Sequence, residues 1–259
     1  MTPDVGPNPG SPSIQQADYW WYRARGELLR SVMEPHLGRP GRVLDVGSAD
    51  GPSVSWLRGR GHRVAMDLDP RGLEPGDVCG SALRLPFGAG TFDVAAAFDV
   101  VEHCEPELEA LAELYRVLVP GGLLLISVPA YTWAWTSFDD LNHHHRRYTR
   151  RRARVAVEAA GFEVVRTTYA FAGTFPFFAA ERLRTRLVER GRPPVSAGAG
   201  EVPPLPAVGR VVERILLGAT ALDRRLLPRR DLPFGSSVLV VARRPVDQRD
   251  TQPATPDVT

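Results

Sequence analysis

The stretch Arg42-Val43-Leu44-Asp45-Val46-Gly47-Ser48-Ala49-Asp50-Gly51 decides the architecture. Its first half is a short apolar run of strand type, and Gly47 and Gly51 let the backbone after it turn tightly and come close to a ligand. A helix expected over 52–60 then offers unpaired N–H groups and a positive dipole end, which suits a carboxylate. Asp45, buried just before the glycine, either accepts from an ammonium or fixes the loop. The spacing is not the G-x-G-x-x-G of a dinucleotide loop, and a chain whose basic residues are all Arg has no G-x-x-x-x-G-K-[ST] phosphate loop.

Apolar runs alternate with helical patterns on both sides of this loop. Strands are expected at 42–46, 62–67, 92–98, 123–128, 162–168 and 236–242. Helices are expected at 14–36, 52–60, 106–118, 151–160 and 208–227, with Pro120-Gly121-Gly122 breaking the third and Gly161 closing the fourth. The alternation predicts an α/β fold, a doubly wound and mostly parallel sheet with helices on both faces. Residues 14–40 read as an N-terminal helical cap and 41–246 as the main domain. The stretch 171–232 breaks the alternation and reads as a helical insertion before the last strand. Residues 1–13 and 247–259 lack periodicity and read as disordered tails.

The bulk numbers narrow the function. A chain of 259 residues with 43% apolar content can bury a substantial core, and a net charge of +2 gives no footprint for nucleic acid. The exclusive use of Arg is explained by codon bias. Two cysteines, Cys79 and Cys104, make no disulfide framework. Residues 169–180 are too few to span a bilayer, which takes roughly 20. A soluble cytoplasmic protein, monomer or homodimer, is the expectation.

In an open parallel sheet, ligands sit beyond the carboxyl ends of the strands, so chemistry belongs just after each strand. Asp67 ends the second strand, where an acid can take both hydroxyls of a ribose. Asp69-Pro70 beside it is turn chemistry. Ser81, with apolar neighbours, suits an adenine edge. Phe98-Asp99-Val100-Val101-Glu102-His103 leaves a strand for a helix and faces the cleft.

The ordered motifs DVGSADG, AMDLDP, SALRLPF, GTFDVAAAFDVVEH and RVLVPGGLLLISVP, over residues 41–128, resemble those of class I S-adenosylmethionine-dependent methyltransferases. Tyr19 to Arg25, Asp139 to Tyr148 (D-x4-H-x-R-R-Y) and Leu232-Pro233-Phe234-Gly235-Ser236 resemble elements of a bacterial small-molecule subgroup. The resemblance implies a seven-stranded sheet with an antiparallel last strand and a lid over 129–150. It implies that S-adenosylmethionine is held by Asp45, Gly47, Ser48 and Gly51 at its methionine end and by Asp67 at the ribose. Leu68 packs on the adenine, Ser81 and Ala82 lie near its amine, and Phe98 lines the sulfonium pocket; Arg25 joins this set. The loop departs from a Gly-Cys-Gly core, and Ser81 stands where an acid is common.

If the acceptor is a hydroxyl, a base must take its proton, and His is the usual choice. His144, on the motif position, is the expected base, with Asp139 orienting it, Tyr148 bonding a substrate oxygen and His103 a second candidate. The alternative is a structural latch at 139–148, with Arg146 and Arg147 either binding an acidic group or pinning the lid. A His at 103 otherwise bonds backbone and shapes the pocket. Asp99-x-x-Glu102-His103 resembles the E-x-x-E-H element of metal-assisted O-methyltransferases, but Asp replaces the first Glu, and no metal is expected.

Phe171, Phe175, Phe177 and Phe178 run into Arg182, Arg184, Arg186 and Arg190. This is either a lid helix covering the site or a segment, 171–190, that meets a membrane surface. Both fit a small, partly hydrophobic acceptor methylated on oxygen, with nitrogen or carbon as alternatives. A non-catalytic S-adenosylmethionine-binding protein, a nucleic-acid methyltransferase and an oxidoreductase are the competing readings.

Overall fold

The computed structural model describes residues 18–47, 51–70, 73–190 and 208–246. The tails expected at 1–13 and 247–259 lie outside them. Helix α1 (Trp20–Leu37) precedes strand β1 (Arg42–Val46), a 3-10 helix (Pro52–Leu57) and β2 (His62–Asp67). Then come β3 (Val78–Cys79), β4 (Phe92–Phe98), a 3-10 turn (Val101–His103), α2 (Glu107–Val117) and β5 (Leu118–Pro129). A 3-10 turn (Thr132–Ala134), α3 (Ser137–Leu141), α4 (Arg150–Ala159) and β6 (Glu163–Ala170) follow. The described chain closes with α5 (Phe175–Glu189), α6 (Arg210–Leu226) and β7 (Ser237–Arg243).

The sheet has the order β3-β2-β1-β4-β5-β7-β6. All neighbours are parallel except β7, which lies antiparallel between β5 and β6. Its centre is deeply covered: Ala95, Ala96 and Ala97 of β4 are wholly buried. Helix α1 lays Leu28, Leu29, Val32 and Met33 into the core, so the cap is packed rather than loosely appended.

Three expectations need correction. The helix at 52–60 is a single 3-10 element ending at Leu57. Gly61 behind it sits at φ +128°, where a side chain would collide with the Pro40 carbonyl. So short an element has little dipole to offer an anion. Pro120-Gly121-Gly122 does not separate helix from strand. β5 runs through it, with a register shift between Phe92 and Val94 of β4 absorbing the extra residues. Strand β3 was missing from the sequence reading because two residues carry no periodicity. No helix among the described residues is long and apolar enough to cross a membrane.

Candidate active site

The carboxyl ends of β1 and β2 carry the expected cofactor residues. Gly47 sits at φ +71°, its N–H donates to the Met66 carbonyl at 2.7 Å, and a Cβ there would strike Val100. Only glycine lets the loop pass so close to the end of β4. Asp45 is buried, and its Oδ2 accepts two N–H groups of Arg63, at 3.0 and 2.9 Å. That bond ties β1 to β2 beneath the loop. Gly51 follows the turn, while Ser48 lies outside the described residues.

Asp67 ends β2 half-buried, its Oδ1 accepting the Asp69 N–H at 2.9 Å. Its carbonyl takes the Gly80 N–H at 2.9 Å, which draws residues 80–82 alongside. Leu68, next to it, is 75% exposed, an apolar side chain held out of the core at the edge of the cleft. Ser81 Oγ accepts the Leu83 N–H at 3.2 Å, and Ala82 is buried. Ser81 thus caps its own turn first, an engagement the sequence reading did not foresee.

On the other side of the cleft the groups are long-range. Arg25 of α1 is buried, its guanidinium flanked by the rings of Trp21 (5.2 Å) and Phe98 (6.0 Å). Its Nη2 lies 2.8 Å from both Asp99 Oδ2 and Ser127 Oγ, and Ser127 Oγ donates to Asp99 Oδ1 at 2.9 Å. Asp99 adopts φ +58°, a strained backbone for this residue, and its N–H donates to the Ser127 carbonyl. The triad clamps the ends of β4 and β5 to the cap. Arg25 therefore serves the pocket by holding Phe98 and Asp99 in place. Ser127 was missed, and only its position at a strand end hinted at it.

The segment 139–148 is tied together around Asp139, with His144 bonded into it. Asp139 is wholly buried. Its Oδ1 meets His144 Nδ1 at 2.8 Å and Arg147 Nε at 2.7 Å, and its Oδ2 accepts the Thr136 N–H at 3.0 Å. Burial works to raise its pKa, but the bonds from His144 and Arg147 and the charge of Arg147 outweigh it and hold the carboxyl below its usual range. An ionised Asp139 only accepts, so Nδ1 of His144 is the donor to it, and Nε2 is the ring's other nitrogen. Arg147 also donates to the Ala130 carbonyl, and Arg146 to the Cys104 carbonyl. Of their two expected roles, both arginines perform the pinning one.

Two candidates fare differently. Tyr148 is buried, and its hydroxyl donates to Glu107 beneath the Arg152 guanidinium, so it is not placed to bond a substrate oxygen. Its backbone instead bridges Pro129 and Tyr131, seating the lid on the end of β5. His103 sits 4.6 Å from His144, ring to ring and nearly perpendicular, and is exposed beside the lid. Desolvation and the nearby His144 push its pKa down to about 4.

Glu102 enters the sequence reading only as a member of the Asp99-x-x-Glu102-His103 element. It is wholly buried, and neither carboxylate oxygen has a hydrogen-bond partner among the described residues. Burial, with Asp99 nearby, raises its pKa well above the usual carboxylate range. Ligand atoms of Glu102, His103 and His144 lie within 4.8 Å of one another, a set that could hold a divalent ion. Asp99, the first position of the resembling element, faces Arg25 instead.

The family described as a methyltransferase domain matches residues 19–167. Among individual relatives, the malonyl-[acyl-carrier protein] O-methyltransferase of Serratia marcescens is 32% identical over 56% of this chain and 64% of its own length. The biotin biosynthesis bifunctional protein of Cellvibrio japonicus is 32% identical over 54% of this chain and 31% of its own. The ubiquinone/menaquinone biosynthesis C-methyltransferase of a Ruegeria species is 39% identical over 34% and 42%. The chain spans less than two thirds of the length of each. Among solved structures, the 1,6-didemethyltoxoflavin-N1-methyltransferase of Burkholderia thailandensis, with S-adenosylhomocysteine bound, shares the fold. Its TM-score is 0.50 at 18% identity, over 90% of this chain and 84% of that one.

Proposed function

Because the chain belongs to the class I S-adenosylmethionine-dependent methyltransferases, whose cofactor is S-adenosylmethionine, we propose that it methylates a hydroxyl oxygen of a small, partly hydrophobic acceptor. The observation that carries this reading is the Asp139–His144 pair. A buried carboxylate bonds Nδ1 of an imidazole and so directs the ring, a pairing that suits a base acting through Nε2.

Methyl transfer from a sulfonium is an in-line displacement. The oxygen attacks the methyl carbon, the carbon–sulfur bond breaks, and the thioether leaves with the electron pair. The leaving group is good, so alignment supplies much of the acceleration. In this reading Asp67 and Leu68 hold the nucleoside, Gly47 and Gly51 shape the loop at the methionine end, and Ser81 and Ala82 border the adenine. Phe98 walls the sulfonium, and the Arg25–Asp99–Ser127 triad keeps that wall in place. His144 takes the acceptor's proton as the new bond forms.

The names of two relatives favour biosynthetic acceptors: one is called an O-methyltransferase of a malonyl carrier, the other a C-methyltransferase of quinone biosynthesis. The second name makes carbon the alternative acceptor atom. The test is transfer of labelled methyl into a cell extract, with the product partitioned between water and organic solvent. Label is expected in the organic phase, alkali-stable and bound through oxygen; label confined to nucleic acid overturns the reading. The proposed step uses no metal, so chelation is expected to leave the rate unchanged.

A further inference from the structure

Helix α5 carries the expectation the fold has not absorbed. It has no buried residue, yet it is firmly seated. Its inner arc meets the lid at successive turns. Phe175 lies 5.5 Å from Tyr131 and from Phe234, Arg182 lies over Phe138 and Phe178, and Glu189 accepts the Ser137 N–H at 3.2 Å. Covering the lid uses that arc alone. At ~100° per residue, Phe177, Leu183, Leu187 and Val188 fall on the opposite side. They are all exposed, Phe177 to 60% and Leu187 to 70%.

The exposed apolar surface continues past the helix. Trp133 and Phe234 pack against Phe175 and keep their outer edges in solvent, as does Phe138 beneath Arg182. Trp133 follows the carboxyl end of β5 and Phe234 precedes β7, so this rim borders the acceptor side of the sheet. Exposed apolar patches of this kind mark partner or membrane surfaces.

Charge separates the two. Residues 171–232 hold eleven Arg against six Asp and Glu, an excess of five positive charges in a chain whose total is +2. The rest of the molecule is therefore net negative. On α5 itself, with Arg190, four Arg stand against two Glu, so a second copy docking by this helix would bring a like excess against it, and the two would repel. An anionic bilayer complements it: Arg184, exposed within the apolar arc and bonded to Glu181 at 3.0 Å, and Arg190 at the helix end lie toward lipid headgroups.

We propose that the outer face of α5, with the aromatic rim at Trp133, Phe138 and Phe234, seats this protein on an anionic lipid surface so that its acceptor edge opens onto lipid. The purpose rests on the reading of a hydrophobic acceptor, but the docking itself can be measured without turnover. The full chain is sedimented with phosphatidylcholine vesicles, with and without phosphatidylglycerol. Binding to the anionic vesicles is expected, at least about tenfold stronger than to neutral ones and weakened by salt. The pair Phe177→Asp and Leu187→Asp, and separately the pair Arg184→Glu and Arg190→Glu, should each weaken it at least about tenfold. Both should leave S-adenosylhomocysteine binding unchanged. Equal binding to neutral vesicles, or vesicle binding that survives both pairs, overturns the proposal. So does a wild-type dimer that the Asp pair dissociates. Loss of S-adenosylhomocysteine binding by the wild type would instead count against the methyltransferase site.

Discussion

The two halves of the cleft are built by different means. On the β1–β3 side, the groups proposed to face a cofactor are placed by short-range bonds, Asp67 on Asp69 and Ser81 on Leu83, and by bonds between the adjacent strands, Gly47 on Met66 and Asp45 on Arg63. On the β4–β7 side they are placed by side chains reaching across the fold. Arg25 reaches Ser127, 102 residues on, and Tyr148 reaches Glu107, 41 residues back. A binding surface for one fixed molecule can be local and shallow. A surface that must aim a base and close over a variable acceptor needs a scaffold of buried charge, and such a scaffold couples stability to activity.

That contrast can be broken at four points. Replacing His144 with Ala is expected to cost the methyl-transfer rate about 10²–10⁴-fold while S-adenosylhomocysteine affinity stays within twofold, read by labelled-methyl transfer and calorimetry. An unchanged rate would leave the acceptor side as scaffold alone.

Asp139→Asn strips buried Arg147 of its carboxylate and should destabilise the fold by about 3–5 kcal/mol in urea unfolding at neutral pH. The sign of its pH dependence follows from the lowered carboxyl pKa. Between the lowered folded value and the ordinary unfolded one, the unfolded chain binds more protons. The stabilisation is therefore complete above the ordinary carboxylate range and is lost as pH falls through the folded value. The curves of the two proteins should converge in acid.

Asp67→Ala is expected to weaken S-adenosylmethionine binding by about 1.5–3 kcal/mol, roughly 10- to 150-fold, with little change in unfolding. A large loss of stability there would show that the cofactor side is a scaffold too. Leu68→Ala should cost about 1 kcal/mol of binding, roughly fivefold, and nothing in thermal stability, because the side chain is exposed before ligand arrives.

The same contrast explains what could be read from the sequence. The alternation of strands and helices and the residues just after each strand were legible because both are local. Asp139 beside His144 was legible too, since five residues span the pair. Tyr148 was misassigned because nothing near it in sequence names Glu107 as its partner. Ser127 was passed over for the same reason: its burial depends on what folds against it. The 3-10 form of Pro52–Leu57 and the passage of β5 through Pro120-Gly121-Gly122 turn on glycine dihedrals and sheet register, which composition does not report.

The place of β7 has a consequence for how the molecule is made. β7 is the last strand of the sheet in sequence, yet it lies between β5 and β6 and pairs with both along its length. On a ribosome, β5 and β6 emerge more than seventy residues before their shared neighbour, each with an open edge of unpaired peptide groups. Until β7 arrives, the half of the sheet that carries the acceptor side cannot close, while β1 to β4 can already be paired. The interval in which this protein is most exposed to misassembly is thus set by the length of the α5–α6 insertion, and shortening that insertion should shorten the interval.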